Sequence, residues 1–290
     1  MGLDLLSARA EPLKLRKFAI LLAGHASEYI RDAYGGVVVL IRNLLSDVGE
    51  TWVTFRVVDG EFPCDDDLYE YEGFVITGSM EDAYGMTPWV VRLCEVVRKA
   101  YRMNKKLLGI CFGHQVISHA LGGKVGPAAH GWEIGSRKIA FADGMHSKPY
   151  ISCLPSSLSI LEIHRDEVYE VPPGGEVLAS SDKTQVEIFA MGNQVLGVQG
   201  HPEFTEDIIH DILENYLEKL SIADEVITQA KLTMQEGRAD REMLKHLCKS
   251  FFKAIPFQIQ ALTYNLVAMK TRSAVCNGLE RIPQRQPITS

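Results

Sequence analysis

From residue 18 to about residue 120, short unbroken apolar runs alternate with longer stretches whose apolar residues return every three or four positions. FAILLAG (18–24) ends in glycine and predicts a strand buried on both faces, and GGVVVLIRNLLSDVG (35–49) carries the helical spacing. The β-branched and aromatic TWVTFRVVDG (51–60) and, after an acidic loop, GFVITGS (73–79) predict two more strands. Thr87 and Pro88 suit the cap and first position of a helix over PWVVRLCEVVRKAYRM (88–103), and KKLLGI (105–110) is a strand that runs directly into Cys111. This alternation implies a doubly wound, mostly parallel sheet with helices on both faces, an architecture that places ligands at the carboxyl ends of its strands.

From about residue 136 to 200 the pattern turns strand-rich, with RKIAFA, LSILEIH, EVLASS, VEIFAM and QVLGVQG separated by Pro and Gly turns. TEDIIHDILENYLEKL (205–220) then reads as a helix capped by Thr205 with acids in its first turn, and two further helical stretches run to about residue 253. The remaining segment has no clear period and carries prolines at 256, 283 and 287, which predicts a poorly packed tail.

Composition narrows the function classes. With 46% hydrophobic and 23% charged residues and a formal charge of −7, the chain is an ordinary, mildly acidic protein, a poor match to nucleic acid or an anionic membrane as partner. No run approaches the roughly 18 apolar residues of a membrane helix, and MGLDLLSARAEPLKLRK lacks a secretory core. Gly2 invites a lipidation reading, but Leu6 stands where a hydroxyl is needed. The six cysteines are scattered without a CxxC pair, which suits reduced thiols in the cytosol rather than disulfides or zinc.

The candidate chemistry begins at GICFG (109–113), where glycines two residues before and after Cys111 have the spacing of a nucleophile elbow. Such a turn strains the nucleophile's backbone and leaves no room for flanking side chains, and a helix starting at Phe112 aims free N–H groups at the sulfur. A cysteine alone is as easily a buried packing residue. The second constellation is QVLGVQGHPE (194–203), an apolar strand ending in His201 with Glu203 two residues on: a base for the thiol proton and a carboxylate to orient it. An H-x-E zinc-deaminase reading requires a downstream P-C-x-x-C, which is lacking, and no metal is expected. Acyl transfer also needs an oxyanion hole; the Phe112 amide is one candidate donor and the amide of Ser79, or of Gly78, the other. His114, on the same predicted helix as the nucleophile, points along that helix, and His164, beside Asp166 at the end of LSILEIH, is either a supporting or a structural histidine.

GICFGHQ resembles the G-x-C-x-G-x-Q signature of class I glutamine amidotransferases, and QGHPE resembles their strand-end His-Pro-Glu, in the same order along the chain. The resemblance implies a flavodoxin-like α/β catalytic domain over 17–220, flanked by an extension at 1–16, a helical extension at 221–253 and the tail at 254–290. It also implies a Cys111–His201–Glu203 triad, a γ-glutamyl thioester, no cofactor, and a substrate contact at Gln115, whose plainer role is a helix residue bonding nearby backbone. FRVVDGEFP, GFVITGS, GGKVG and the helices up to LCKSFFK are further similar to the plant γ-glutamyl peptidases of that family, which act on glutathione conjugates in sulfur-containing defence metabolism such as glucosinolate biosynthesis. TGS replaces the double glycine of many amidotransferases, so the second position must tolerate a side chain without a left-handed backbone. HGWEIG (130–135) is a further candidate for approach to the amino-acid head.

Three functions follow from this set. The first is a free-standing cysteine hydrolase of γ-glutamyl peptides, since the roughly 70 residues after the domain are too few for a synthetase. The second is a glutaminase subunit feeding ammonia to a separate synthetase. The third, a non-catalytic γ-glutamyl sensor, has no need of the triad.

Overall fold

The computed structural model describes residues 15–145, 148–215, 222–236 and 239–254. Most of the expected 1–16 extension and of the tail after Lys253 therefore lies outside the described residues.

Five parallel strands form the part of the sheet that the apolar runs predict. They are β1 (Lys17–Leu21), β2 (Thr51–Phe55), β3 (Gly73–Ile76), β4 (Lys106–Ile110) and, much later in the chain, β11 (Val195–Val198), in the order β2-β1-β3-β4-β11. Beyond β11 the sheet continues with antiparallel β10 (Ile188–Met191), β9 (Glu176–Ser180), β6 (Glu133–Phe141) and β7 (Ser157–His164), making nine strands among the described residues. A separate antiparallel pair joins β5 (Lys124–Pro127) to β8 (Asp166–Glu170), neither of which the hydrophobic pattern anticipates. Both are short, and their exposed positions interrupt the apolar signal.

The strand period explains why β1 reads as a continuous apolar run. Phe18 and Ile20 enter one core with Ile41, Leu44 and Leu45 of α2 (Val37–Leu45) and Leu244, Leu247, Phe251 and Phe252 of α7 (Arg241–Lys253). Ala19 and Leu21 enter the opposite core with Val90, Leu93 and Val97 of α3 (Pro88–Arg102) and Phe112, Val116 and Ile117 of α4 (Phe112–Ala120). A third core lies over β6 and β7, where Ile134 and Leu161 meet α1 (Glu28–Tyr34), α5 (Glu206–Asn215) and α6 (Asp224–Glu236). The segment from residue 24 to 49, expected to hold one helix, holds two, because Gly35 (φ 77°) and Gly36 (φ 101°) break it. The C-terminal helices are built into the core: Phe252 packs 5.1 Å from Phe18 and 5.9 Å from Trp52, ring centre to ring centre. Among the described residues, no helix is long and apolar enough to cross a membrane.

Candidate active site

Cys111 sits between β4 and α4 with φ 51° and ψ −107°, one of two non-glycine residues with positive φ among those described. This is a costly backbone, persisting only where its surroundings fix it. The fixation is visible: the Cys111 N–H donates to the Val198 carbonyl (2.9 Å), tying the elbow to β11. The flanking glycines are required by contact. A Cβ at Gly109 would lie 2.3 Å from the Gly113 carbonyl oxygen, and one at Gly113 would lie 2.2 Å from the Ile76 carbonyl oxygen. Cys111 is buried, and its Sγ lies 3.7 Å from the Ile163 carbonyl oxygen on β7.

His201 follows β11 and is fixed by a bond from its N–H to the Leu161 carbonyl (2.8 Å). Its Nδ1 lies 2.8 Å from Glu203 Oε1, and Phe204 stacks on the ring at 4.2 Å and 7°. Cys111 is its neighbour: a Cβ built at Gly78 would lie 3.9 Å from Cys111 Cβ and 4.0 Å from His201 Nε2. Burial opposes a charge on this ring, but the Glu203 carboxylate and the Cys111 sulfur outweigh burial and raise its pKa to about 10. The structure thus brings together the three residues that two separate motifs supply. Gly78 belongs to the same assembly: a Cβ there would lie 3.1 Å from His201 Cε1, so the glycine makes room for the imidazole.

The two sequence-derived oxyanion elements converge on this point. Phe112 opens α4, where its N–H has no helical carbonyl to meet. The turn after β3 is pinned by the Ala23 N–H donating to Thr77 Oγ1 (3.0 Å), and neither Gly78 nor Ser79 has a positive φ. Gln115 is buried; its amide nitrogen donates to the Asp166 carbonyl (2.7 Å) and to Gln199 Oε1 (3.2 Å), the internal backbone-binding role of the two considered from sequence. His114 packs under the sheet 5.0 Å from the Phe189 ring, where burial pushes its pKa down to about 3.

Three further side chains escaped the sequence reading. Arg165 lies between Asp82 (3.6 Å) and Asp166 (3.4 Å), and burial first, then the neighbouring Asp166, raises the pKa of Tyr84 to about 12. Asp82 and Tyr84 come from the loop after the Gly78–Ser79 turn, and only the apposition of that loop with β8 makes a cluster of them. Behind Cys111 is a second buried group, Glu133, Glu162, His164 and Glu187. Glu133 is neutralised by Arg137 Nε (2.5 Å) and receives the Thr184 hydroxyl (3.0 Å). Burial, then the neighbouring carboxylates Glu187 and Glu133, push Glu162 well up; Glu187 is raised to about 8, burial again being the main cause. Among the described residues, no three His, Cys, Asp or Glu side chains are arranged to hold a metal ion.

Residues 29–220 match the family model described as glutamine amidotransferase class-I. Gamma-glutamyl peptidase 5 of Arabidopsis thaliana is 42% identical over 246 residues, covering 84% of this chain and 98% of that protein. Gamma-glutamyl peptidase 3 of the same plant is 42% identical over 241 residues, covering 82% and 97%. Among solved structures, a glutamine amidotransferase from Thermotoga maritima has the same fold, with a TM-score of 0.60 at 20% identity, over 83% of this chain and 99% of that one.

Proposed function

Because this chain belongs to the class-I glutamine amidotransferase family and is a hydrolytic enzyme, we propose that it cleaves the γ-glutamyl amide bond of γ-glutamyl peptides through a thioester on Cys111. The observation that carries this reading is the strained elbow cysteine beside His201, itself held by Glu203 at 2.8 Å. The likeness to gamma-glutamyl peptidases supports a γ-glutamyl peptide rather than glutamine as substrate. Glutathione conjugates are the expected class, their leaving group being the amino end of a Cys-Gly conjugate.

In the first step the Cys111 sulfur attacks the γ-carbonyl carbon, and the carbonyl oxygen takes up negative charge facing the Phe112 amide and an amide of the Gly78–Ser79 turn. The C–N bond then breaks while the His201 imidazolium passes its proton to the departing amine. In the second step His201, now neutral, takes a proton from water as the water attacks the thioester. Glutamate leaves, and the imidazolium again faces the sulfur. The raised pKa of His201 suits this cycle, since the resting imidazole carries the proton that the leaving group needs. The Asp82–Arg165–Asp166 cluster with Tyr84 offers both charge signs to the amino-acid head of the substrate.

The family description favours one second reading, a glutaminase that supplies ammonia. Incubating the purified chain, without ATP or any partner, with γ-Glu-Ala and with glutamine separates the two. Faster release from γ-Glu-Ala, with a 1:1 γ-glutamyl adduct located on Cys111 by mass spectrometry, is the expected result. Preference for glutamine, or an adduct on another cysteine, would overturn the proposal.

A further inference from the structure

Next to the triad lies a cleft of about 310 Å³ lined by Leu161, Phe204, Glu206, Asp207, Ala239 and Arg241. Two of its walls belong to the catalytic apparatus: Phe204 is the ring stacked on His201, and Leu161 is the carbonyl that fixes the His201 backbone. The opposite wall comes from the C-terminal helices, outside the residues that the family model matches. Arg241 opens α7 and donates, at 3.4 Å, to the main-chain carbonyl of Glu203. Its guanidinium makes no ion pair with a carboxylate among the described residues. Of the two carboxylates in the cleft, Asp207 is already taken by the hydroxyls of Tyr29 (2.5 Å) and Tyr34 (2.7 Å), and those bonds hold its pKa down against burial. Glu206 stands in the first turn of α5. An arginine with no carboxylate partner thus faces a cleft that shares a wall with the histidine that protonates the leaving group.

On the γ-glutamyl hydrolase reading given above, the leaving group is an amine with a peptide attached, and a dipeptide spans about 7 Å. It departs as a zwitterion, with its new amine at His201 and a carboxylate at the far end. Ammonia has no such far end. We propose that Arg241 binds the C-terminal carboxylate of the leaving peptide, making this cleft the subsite that separates peptides from glutamine. The likeness to gamma-glutamyl peptidase 5 reaches this wall: a span covering 84% of this chain cannot end before residue 241.

The test compares γ-Glu-Ala-Gly with its C-terminal amide in the full chain and in Arg241→Gln. The wild-type protein should prefer the free acid by about tenfold or more in kcat/KM, the usual effect of one charge-assisted hydrogen bond. In Arg241→Gln that ratio should fall toward one. A purely structural role for Arg241 would slow both substrates equally and leave the ratio intact, and that result, or a wild-type ratio near one, would overturn the subsite. A second measurement needs no variant: Ala-Gly should inhibit the wild-type protein more strongly than Ala-Gly amide, and equal inhibition would also overturn it. If neither substrate acylates Cys111, the hydrolase reading itself fails and the subsite with it.

Discussion

Two tripeptides in this chain have the same form, a histidine at the end of a strand with an acid two residues later. His201-Pro202-Glu203 and His164-Arg165-Asp166 are alike in sequence, and both histidines are buried, yet they end in opposite charge states. His201 is raised to about 10 and His164 is lowered to about 4, burial being the largest single influence on each. The difference lies in whether a nearby carboxylate still has charge to offer. Glu203 points Oε1 at Nδ1 from 2.8 Å, and the Cys111 sulfur adds to it. In the second tripeptide the Nδ1 of His164 meets the Asp166 backbone oxygen (3.1 Å), while the Asp166 carboxylate turns to Arg165. The carboxylates nearest His164 Nε2 are Glu162 at 3.5 Å, itself driven toward the protonated form, and Glu133 at 3.7 Å, shared with Arg137; the Glu133 charge raises the pKa of the histidine but does not overcome its burial. A buried histidine is charged by an uncommitted partner at hydrogen-bond distance, not by the number of acids around it.

The contrast is broken most severely at the triad. Glu203→Gln should lower kcat by up to ~10⁴, the loss known for the equivalent change in a serine triad. His201→Asn should be at least as damaging, and the double variant no worse than the more damaging single one, because the residues act as a unit. His164→Asn should change kcat by less than about tenfold if its neutral ring only fills and positions. Steady-state kinetics on a γ-glutamyl dipeptide checks all four, and a comparable loss in His164→Asn would erase the distinction.

Next in size is Gly200→Ala. The two regions meet at this residue, where a Cβ would lie 2.5 Å from Glu162 Oε1 and 2.7 Å from Ile160 Cγ1. Crowding of this kind costs about 1–3 kcal/mol, so both Tm and kcat should fall. A variant with wild-type Tm and turnover would show that the neighbours give way freely.

The pH dependence of stability sharpens the comparison because its sign differs. The raised pKa of His201 means its proton-linked stabilisation is complete below about pH 6.5 and is lost as pH rises through about 10. The depressed pKa of His164 means its contribution is present above about pH 6.5 and is lost as pH falls through about 4. The Tm gap between the wild-type protein and His201→Asn should therefore narrow from pH 6.5 to 10, whereas the gap to His164→Asn should widen from pH 4 to 6.5. Parallel trends in thermal melts would contradict the assignment of opposite charge states.

The smallest effect is expected for Glu162→Gln, which replaces a carboxyl whose pKa burial raises by a neutral group of the same shape. Turnover near neutrality should stay within a few-fold. The raised pKa of Glu162 gives stability that is full below about pH 4.5 and lost as pH rises, so the Tm of the variant should depend less on pH above that point. A steeper profile would mean that Glu162 is ionised in the folded protein.

The parallel half of the fold was legible because a strand buried on both faces leaves an unbroken apolar run, and β1, β3 and β4 are such runs. The elbow was legible too, since a backbone carbonyl 2.2 to 2.3 Å from a built Cβ, that of Gly113 at Gly109 and that of Ile76 at Gly113, forbids any side chain at either glycine and so fixes the residue type in the sequence. Short, half-exposed β5 and β8 carry no comparable signal. What the sequence by itself determined was therefore the set of candidate reacting groups and the strand ends that bear them. Which of two similar histidine tripeptides holds a charge, and where Arg165 and Arg241 stand, were decided by tertiary structure alone. Some partners are local, as Glu203 is to His201 and Asp166 to Arg165, but the rest lie tens of residues away, as Cys111 does from His201, Glu133 from His164, Asp82 from Arg165 and Glu203 from Arg241, and groups so distant leave no local trace in the chain.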